Sequence, residues 1–320
     1  MYALQDISII IPTYNRAEDL KTTLHTIKPF LTKIREVIIV DQSKNDETKN
    51  LINLLKNKKI RYIYSKIPSI TLARNLGVKN IHKAAKIICF IDDDVTLNKN
   101  YFKNILAVFN NNASAKAVAG FFINENLSKR RKFEIVLRKL FFLDNPDKNR
   151  ARIISAYGNT YPKELNQVIN SQWIPGVNMC YKKEVFREQK FDENLLGYTI
   201  GEDIDFSHRL YKKYPDSVFI TPYAKLVHRA SNVERTPTEK MAYINQVDHF
   251  YFFFKNKNDS FLERVKFSWS LVGITLLRTF NLLIKPTKVN YLKEKYFIKS
   301  LIYCLSNLKK IKSGKVREFL

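Results

Sequence analysis

Two periods alternate along the first 125 residues. Runs in which nearly every position is apolar predict strands at Ile7–Ile11, Glu36–Val40, Arg61–Tyr64, Ile87–Ile91 and Ala117–Phe122. Between them apolar positions recur every three or four residues. That spacing predicts amphipathic helices at Ala17–Ile27, Asp46–Leu55, Ile70–Ala85 and Tyr101–Phe109. Continuous apolar strands alternating with helices imply an α/β fold whose sheet is mainly parallel and buried on both faces. Ligands of such sheets bind beyond the carboxyl ends of the strands.

The pattern is less regular from Asn124 to Ser171. Lys129-Arg130-Arg131-Lys132 opens a stretch with Phe133, Val136, Leu137, Leu140 and Phe141 at helical spacing, which reads as a packed or a membrane-facing helix. Alternation then resumes, with a strand predicted near Trp173–Tyr181, a helix from Glu202 to Lys212 and a strand near Ala224–His228. Everything after Ser231 reads as helical. Val265–Ile284 is apolar but holds Lys266, Arg278 and Asn281; its longest uncharged run, Phe267–Leu277, falls short of the ~20 residues a spanning helix needs. Phe297, Leu301, Leu305 and Leu308 mark one face of a further helix. The expected organisation is a catalytic domain over 1–230, divided into halves 1–125 and 126–230, followed by a helical C-terminal extension over 231–320.

Charge adds a constraint on partners. The formal net charge is +25, which attracts polyanions: nucleic acid, an anionic membrane or a phosphate-bearing substrate. From Arg264 onward 13 Lys and Arg face two acids, Glu294 and Glu318, so the tail is expected to be amphipathic and membrane-associated. Cys89, Cys180 and Cys304 lack metal or redox spacing and read as reduced, buried thiols. The N-terminus has no basic start followed by a long apolar run, so no signal peptide is expected.

The candidate chemistry sits at the predicted strand ends. Pro12-Thr13-Tyr14-Asn15 follows the first strand, Asp41-Gln42-Ser43 the second and Asp92-Asp93-Asp94 the fourth. Asn15, with Glu18 three residues on, is placed to cap the first helix. Asp92 and Asp94 can face one way, because alternate strand residues do, and paired hard carboxylates suit Mg²⁺ or Mn²⁺. Glu202 and Asp203 open a helix, where the dipole favours carboxylates and holds them ionised, as a general base requires. Pro175-Gly176-Val177-Asn178 allows a close backbone approach to a ligand or simply makes a turn. His228 ends a strand and gains meaning only in company with the carboxylates.

SIIIPTYNR, VIIVDQS, LARNLG, FIDDDV, PGVNM, GEDIDFSHRL and the later histidine occur in an order that resembles inverting glycosyltransferase family 2, over about residues 7–230. The resemblance implies a GT-A fold, a Rossmann-like sheet flanked by helices. It implies that Asp41 accepts a hydrogen bond from the nucleobase, with Pro12 and Tyr14 lining its pocket. Arg74, Asp92, Asp93 and Gly176 fall among the donor contacts, and Asp94, Asp92 and His228 hold the metal, Mn²⁺ or Mg²⁺. Asp203 matches the catalytic base, with Glu202 its rival. Gln42 departs from the pattern, which often has a second Asp there.

The activity so implied is transfer of a sugar from a UDP, GDP or dTDP donor to a glycan or lipid-linked acceptor by one in-line displacement. An anionic membrane surface is an expected partner, with the protein peripheral on the cytoplasmic face. A non-catalytic donor-binding relative is the alternative. Nucleic acid is not an expected partner, because acidic strand ends would repel a phosphate backbone. None of the eight glycines forms a G-x-G pair and no P-loop lysine occurs, which argues against a dinucleotide oxidoreductase. A nucleotidyltransferase would carry a glycine-rich basic segment after its first strand, and IIIPTYNRAEDL has no glycine.

Overall fold

The computed structural model describes residues 1–123, 132–144, 151–231, 238–257 and 260–319. The strands are β1 (Ile7–Thr13), β2 (Glu36–Asp41), β3 (Ile60–Tyr64), β4 (Ile87–Ile91), β5 (Val95–Leu97), β6 (Ala117–Ile123), β7 (Ile169–Asn170), β8 (Asn178–Lys182) and β9 (Val218–His228). They form one sheet in the order β3-β2-β1-β4-β8-β6-β9-β5, with β7 also on β9. The expected parallel arrangement holds from β3 to β4. Beyond β4 the sheet is mixed: β8 runs antiparallel to β4 and β6, and β9 runs parallel to β6 but antiparallel to β5.

Every residue of β1, β2 and β4 is buried, as the unbroken apolar runs require. α1 (Ala17–Ile27) lays Leu20, Leu24 and Ile27 on the sheet, and α4 (Tyr101–Asn111) adds Tyr101, Phe102, Ile105, Leu106, Val108 and Phe109. Each such side chain contributes roughly 1.5–3 kcal/mol of burial. α2 (Glu47–Leu55) and α3 (Ile70–Lys79) complete the first half, and α6 (Val185–Glu188) and α7 (Glu202–Lys213) follow β8.

Four local expectations need correction. Asn15 does not cap α1; it sits at φ 52°, and its Oδ1 accepts from Lys44 N at 2.9 Å, fastening the β1 loop to the β2 loop. α3 stops at Lys79 rather than Ala85: Arg61 Nη1 donates to Asn80 O and His82 N donates to Glu36 Oε1, and the backbone bonds at Asn80, Ile81 and Ala85 are three-residue turns. The strand expected from Trp173 begins only at Asn178: Pro175 lacks an N–H, and the Trp173 and Ile174 amides bond to Ser171 and Ser207 hydroxyls. β9 starts at Val218, six residues earlier than expected, and passes Pro222 where its register against β6 shifts.

The chain divides into two compact units. One comprises 1–125, 164–197 and 202–235; the other comprises 126–163, 198–201 and 236–320. The described residues of 126–163 thus group with the C-terminal helices, while the sequence pattern places them inside the 1–230 domain, in its second half. The second unit contains α5 (Lys132–Leu140), α8 (Thr238–Asn256), α9 (Phe261–Ile284), α10 (Lys288–Ser306) and α11 (Leu308–Lys312). Its core is aromatic: Phe267 stacks on Phe253 at 4.3 Å and meets Phe250 at 5.0 Å. α10 buries Phe297, Ser300 and Cys304, while Leu305 at its end and Leu308 at the start of α11 are exposed. The Lys129–Arg131 part of the basic run lies outside the described residues. All three cysteines are free and buried.

Candidate active site

Asp92, Asp93 and Asp94 form the turn between β4 and β5, at the carboxyl edge of the sheet. β5 pairs with β9 so that Val95 lies opposite His228. That register brings His228 Nε2 to 3.1 Å from Asp94 Oδ1. Ligand atoms of Asp92, Asp94 and His228 all lie within 4.8 Å of one another. Two hard carboxylate oxygens and an imidazole nitrogen at that separation fit a divalent cation such as Mn²⁺. Asp93 is turned away from this group. Its Oδ2 accepts from Thr13 Oγ1 at 2.8 Å, and Arg16 Nη1 lies 3.4 Å from its Oδ1.

The three carboxyls differ in charge state for identifiable reasons. Burial pushes Asp92 up to about 6, with Arg74 opposing the rise and Asp94 adding to it. Burial pushes Asp93 up to about 7 against the pull of Arg16 and Thr13. Burial would raise Asp94 too, but the His228 contact, Ser231 N–H and Arg16 together hold it below the ordinary carboxylate value. Asp94 is thereby the member kept ionised.

Asp203 stands in the first turn of α7, after Gly201 with its positive φ of 95°. Its Oδ2 accepts from Gly176 N at 2.6 Å and its Oδ1 from Ile204 N at 2.8 Å. Glu202 is committed elsewhere: Oε1 accepts from Arg74 Nη1 at 2.8 Å. Burial raises both carboxyls above their ordinary values; Asp203 adds to the rise at Glu202, and Arg74 opposes it at both. A raised, oriented carboxylate suits proton abstraction near neutral pH.

Arg74 joins the two groups. It is 2% exposed, with Nη2 3.3 Å from Gly176 O and 3.7 Å from Asp92 Oδ1. Burial works against its charge, but Glu202, Asp92 and Asp203 outweigh that and raise its pKa. A Cβ at Gly176 would stand 3.1 Å from Arg74 Nη2 and 3.3 Å from Asp203 Oδ2, close enough to displace either group by a few tenths of an ångström.

At the β1 and β2 ends, Thr13 is in register with Asp41. Asp41 is fully buried; Ser43 N donates to its Oδ1 and Tyr62 OH to its Oδ2, both at 2.9 Å. Pro12 is buried and Tyr14 half-buried. Gln42 Nε2 donates to Ile67 O and Ser69 O, bracing the loop before α3, which an Asp at that position could not do. Sequence reasoning assigned no role to Thr13, Arg16, Tyr62 or Arg229. Arg229 N donates to Asp94 O, and its guanidinium bonds Val95 O and Thr96 Oγ1, which holds β5 in place. Arg16 was the most detectable of these, a cation two residues after Tyr14 in the same loop.

The mixed sheet thus carries a carboxylate–histidine group at its edge, and comparisons with known proteins identify the class. The Glycosyl transferase family 2 profile matches residues 8–188, and the chain belongs to that family. An uncharacterized glycosyltransferase of Rickettsia felis is 26% identical over 198 residues, 62% of this chain and 29% of that protein. Validoxylamine A glucosyltransferase of Streptomyces hygroscopicus subsp. jinggangensis is 30% identical over 119 residues, 36% of this chain and 28% of that one. The matched regions thus span under a third of these curated relatives. Among solved structures, the mannosyltransferase PcManGT of Pyrobaculum calidifontis, in complex with GDP-Man and Mn²⁺, superposes with a TM-score of 0.57 at 15% identity. That match covers 95% of this chain and 88% of that one, and the two share the GT-A fold.

Proposed function

We propose that this chain is an inverting glycosyltransferase that moves a sugar from a nucleotide-diphosphate donor to an acceptor hydroxyl. The observation that carries the reading is the Arg74 bridge, which ties Asp92 of the cation-binding group to Glu202, neighbour of the Gly176-anchored Asp203. Asp92, Asp94 and His228 would hold Mn²⁺ or Mg²⁺, the former being the ion bound with GDP-Man in PcManGT. The bound ion would offset charge on the departing diphosphate.

The chain's own residues do the rest. Asp203 takes the acceptor proton as the new glycosidic bond forms; the N–H groups of Gly176 and Ile204 fix its direction. Glu202 is spent on Arg74 and acts as its counter-charge. Pro12 and Tyr14 contact the donor base, with Asp41 and Tyr62 behind them. Arg16 keeps Asp93 turned from the cation group. The acceptor is a glycan or lipid-linked molecule at the cytoplasmic face of the membrane, where the basic helices attract anionic lipid.

The test is a screen of UDP-, GDP- and dTDP-sugars for manganese-dependent thermal stabilisation, followed by transfer assays with Asp203→Asn. Stabilisation by one donor type, retained in the variant while transfer is lost, is the expected result. Unchanged transfer by Asp203→Asn would remove it as the base; no stabilisation by any donor would overturn the reading.

A further inference from the structure

α9 is the one helix among the described residues long and apolar enough to cross a membrane by length and composition. It buries one side only, through Phe267, Ser270, Gly273 and Leu277. Away from them, Val265, Trp269, Val272, Leu276, Phe280 and Leu283 are all exposed, at spacings of four, three, four, four and three. These positions make a stripe ~27 Å long at 1.5 Å per residue.

A second segment enlarges it. Phe133 of α5 stands 5.9 Å from the Phe280 ring, and Trp269 Nε1 donates to Leu140 O at 2.9 Å. Phe133, Val136 and Leu140 remain more than half exposed. Phe141 rests against Gly273, where any Cβ would overlap its ring, so the two helices meet closely with their apolar sides uncovered. α10 adds Tyr291, Ile298, Ile302 and Leu305, again exposed. At 100° per residue, Lys288, Lys295 and Lys299 form an exposed row beside them. The only acids in 261–306, Glu263 and Glu294, are paired with Lys266 and Arg278.

We propose that α5, α9 and α10 form a monotopic docking face that lies in the headgroup layer of an anionic bilayer, refining the membrane attachment proposed above. Three features select this occupant. Spanning would strip α9 from the aromatic core around Phe267 and place Arg278, bound to Glu294 and stacked over Phe297, in hydrocarbon. A two-fold self-association face would bring the lysine rows of both copies near one another, a like-charge approach that an anionic headgroup layer removes. Lysines beside an apolar stripe match anionic headgroups above acyl chains.

The test uses the full chain with phosphatidylcholine vesicles with and without phosphatidylglycerol. Flotation should require the anionic lipid, and in a Trp173→Phe background bilayers with brominated acyl chains should quench Trp269. Val272→Glu with Leu276→Glu should lower binding at least tenfold, and each of Lys288→Gln, Lys295→Gln and Lys299→Gln by about fivefold. Manganese- and donor-dependent thermal stabilisation should stay at the parental level in all of these, which separates this face from the catalytic reading. Absence of vesicle binding, binding without quenching, or a dimer in sedimentation equilibrium that the two Glu variants dissolve would overturn the proposal.

Discussion

Asp248, on α8, is 4% exposed and accepts four hydrogen bonds. Arg317 supplies two, at 2.6 and 3.0 Å; Thr199 Oγ1 and Ile200 N supply the others, at 2.8 and 3.0 Å. Replacing either partner alone should destabilise the chain, because the other keeps its charge in a buried place with the counter-charge gone. Asp248→Asn leaves a buried guanidinium that cannot shed its proton, and Arg317→Met leaves the Asp248 carboxyl without its cation; each should cost about 3–5 kcal/mol.

Urea denaturation followed by circular dichroism gives the two penalties. The double variant should recover most of the loss, because neutral replacement of a buried pair is nearly free. Single variants that each lose less than about 1 kcal/mol, or a double variant as unstable as the sum of the singles, would refute the reasoning. Thr199 and Ile200 precede Gly201-Glu202-Asp203 in the chain, so transfer should also fall by more than the folded fraction does.

Three further outcomes are expected. Gly176→Ala pushes a methyl against Arg74 Nη2 and Asp203 Oδ2, so kcat/KM should drop about a hundredfold with little change in melting temperature. His228→Asn should weaken manganese affinity at least tenfold, read by calorimetric titration, while the fold seen by circular dichroism persists. Asp93 has a folded value of about 7, above its unfolded one, so its destabilising effect is complete above pH 7 and fades as pH falls toward 4. Asp93→Asn should therefore raise the metal-free melting temperature more at pH 7.5 than at pH 5.

What the sequence made legible follows from the kind of information each feature carries. Strands β1, β2 and β4 could be placed because burial on both faces leaves no position polar, and their ends exposed the acidic residues. Periodicity gives faces; it does not give partners. His228 meets Asp94 only because a three-residue strand, β5, pairs antiparallel with the far end of β9, and nothing local in Val95–Leu97 announces that register. Likewise the triplet Asp92-Asp93-Asp94 reads as one cluster, yet the turn between β4 and β5 points Asp93 toward Thr13 and Arg16 and leaves its neighbours with His228. The grouping of residues 132–144 with the C-terminal helices is illegible in the sequence for a related reason. α5 carries an amphipathic signal that any apolar surface would satisfy, and it is the bare Cα of Gly273, about 130 residues away, that lets Phe141 dock on α9. Long-range choices of this kind are decided by shape at single positions, which a hydrophobic pattern averages away.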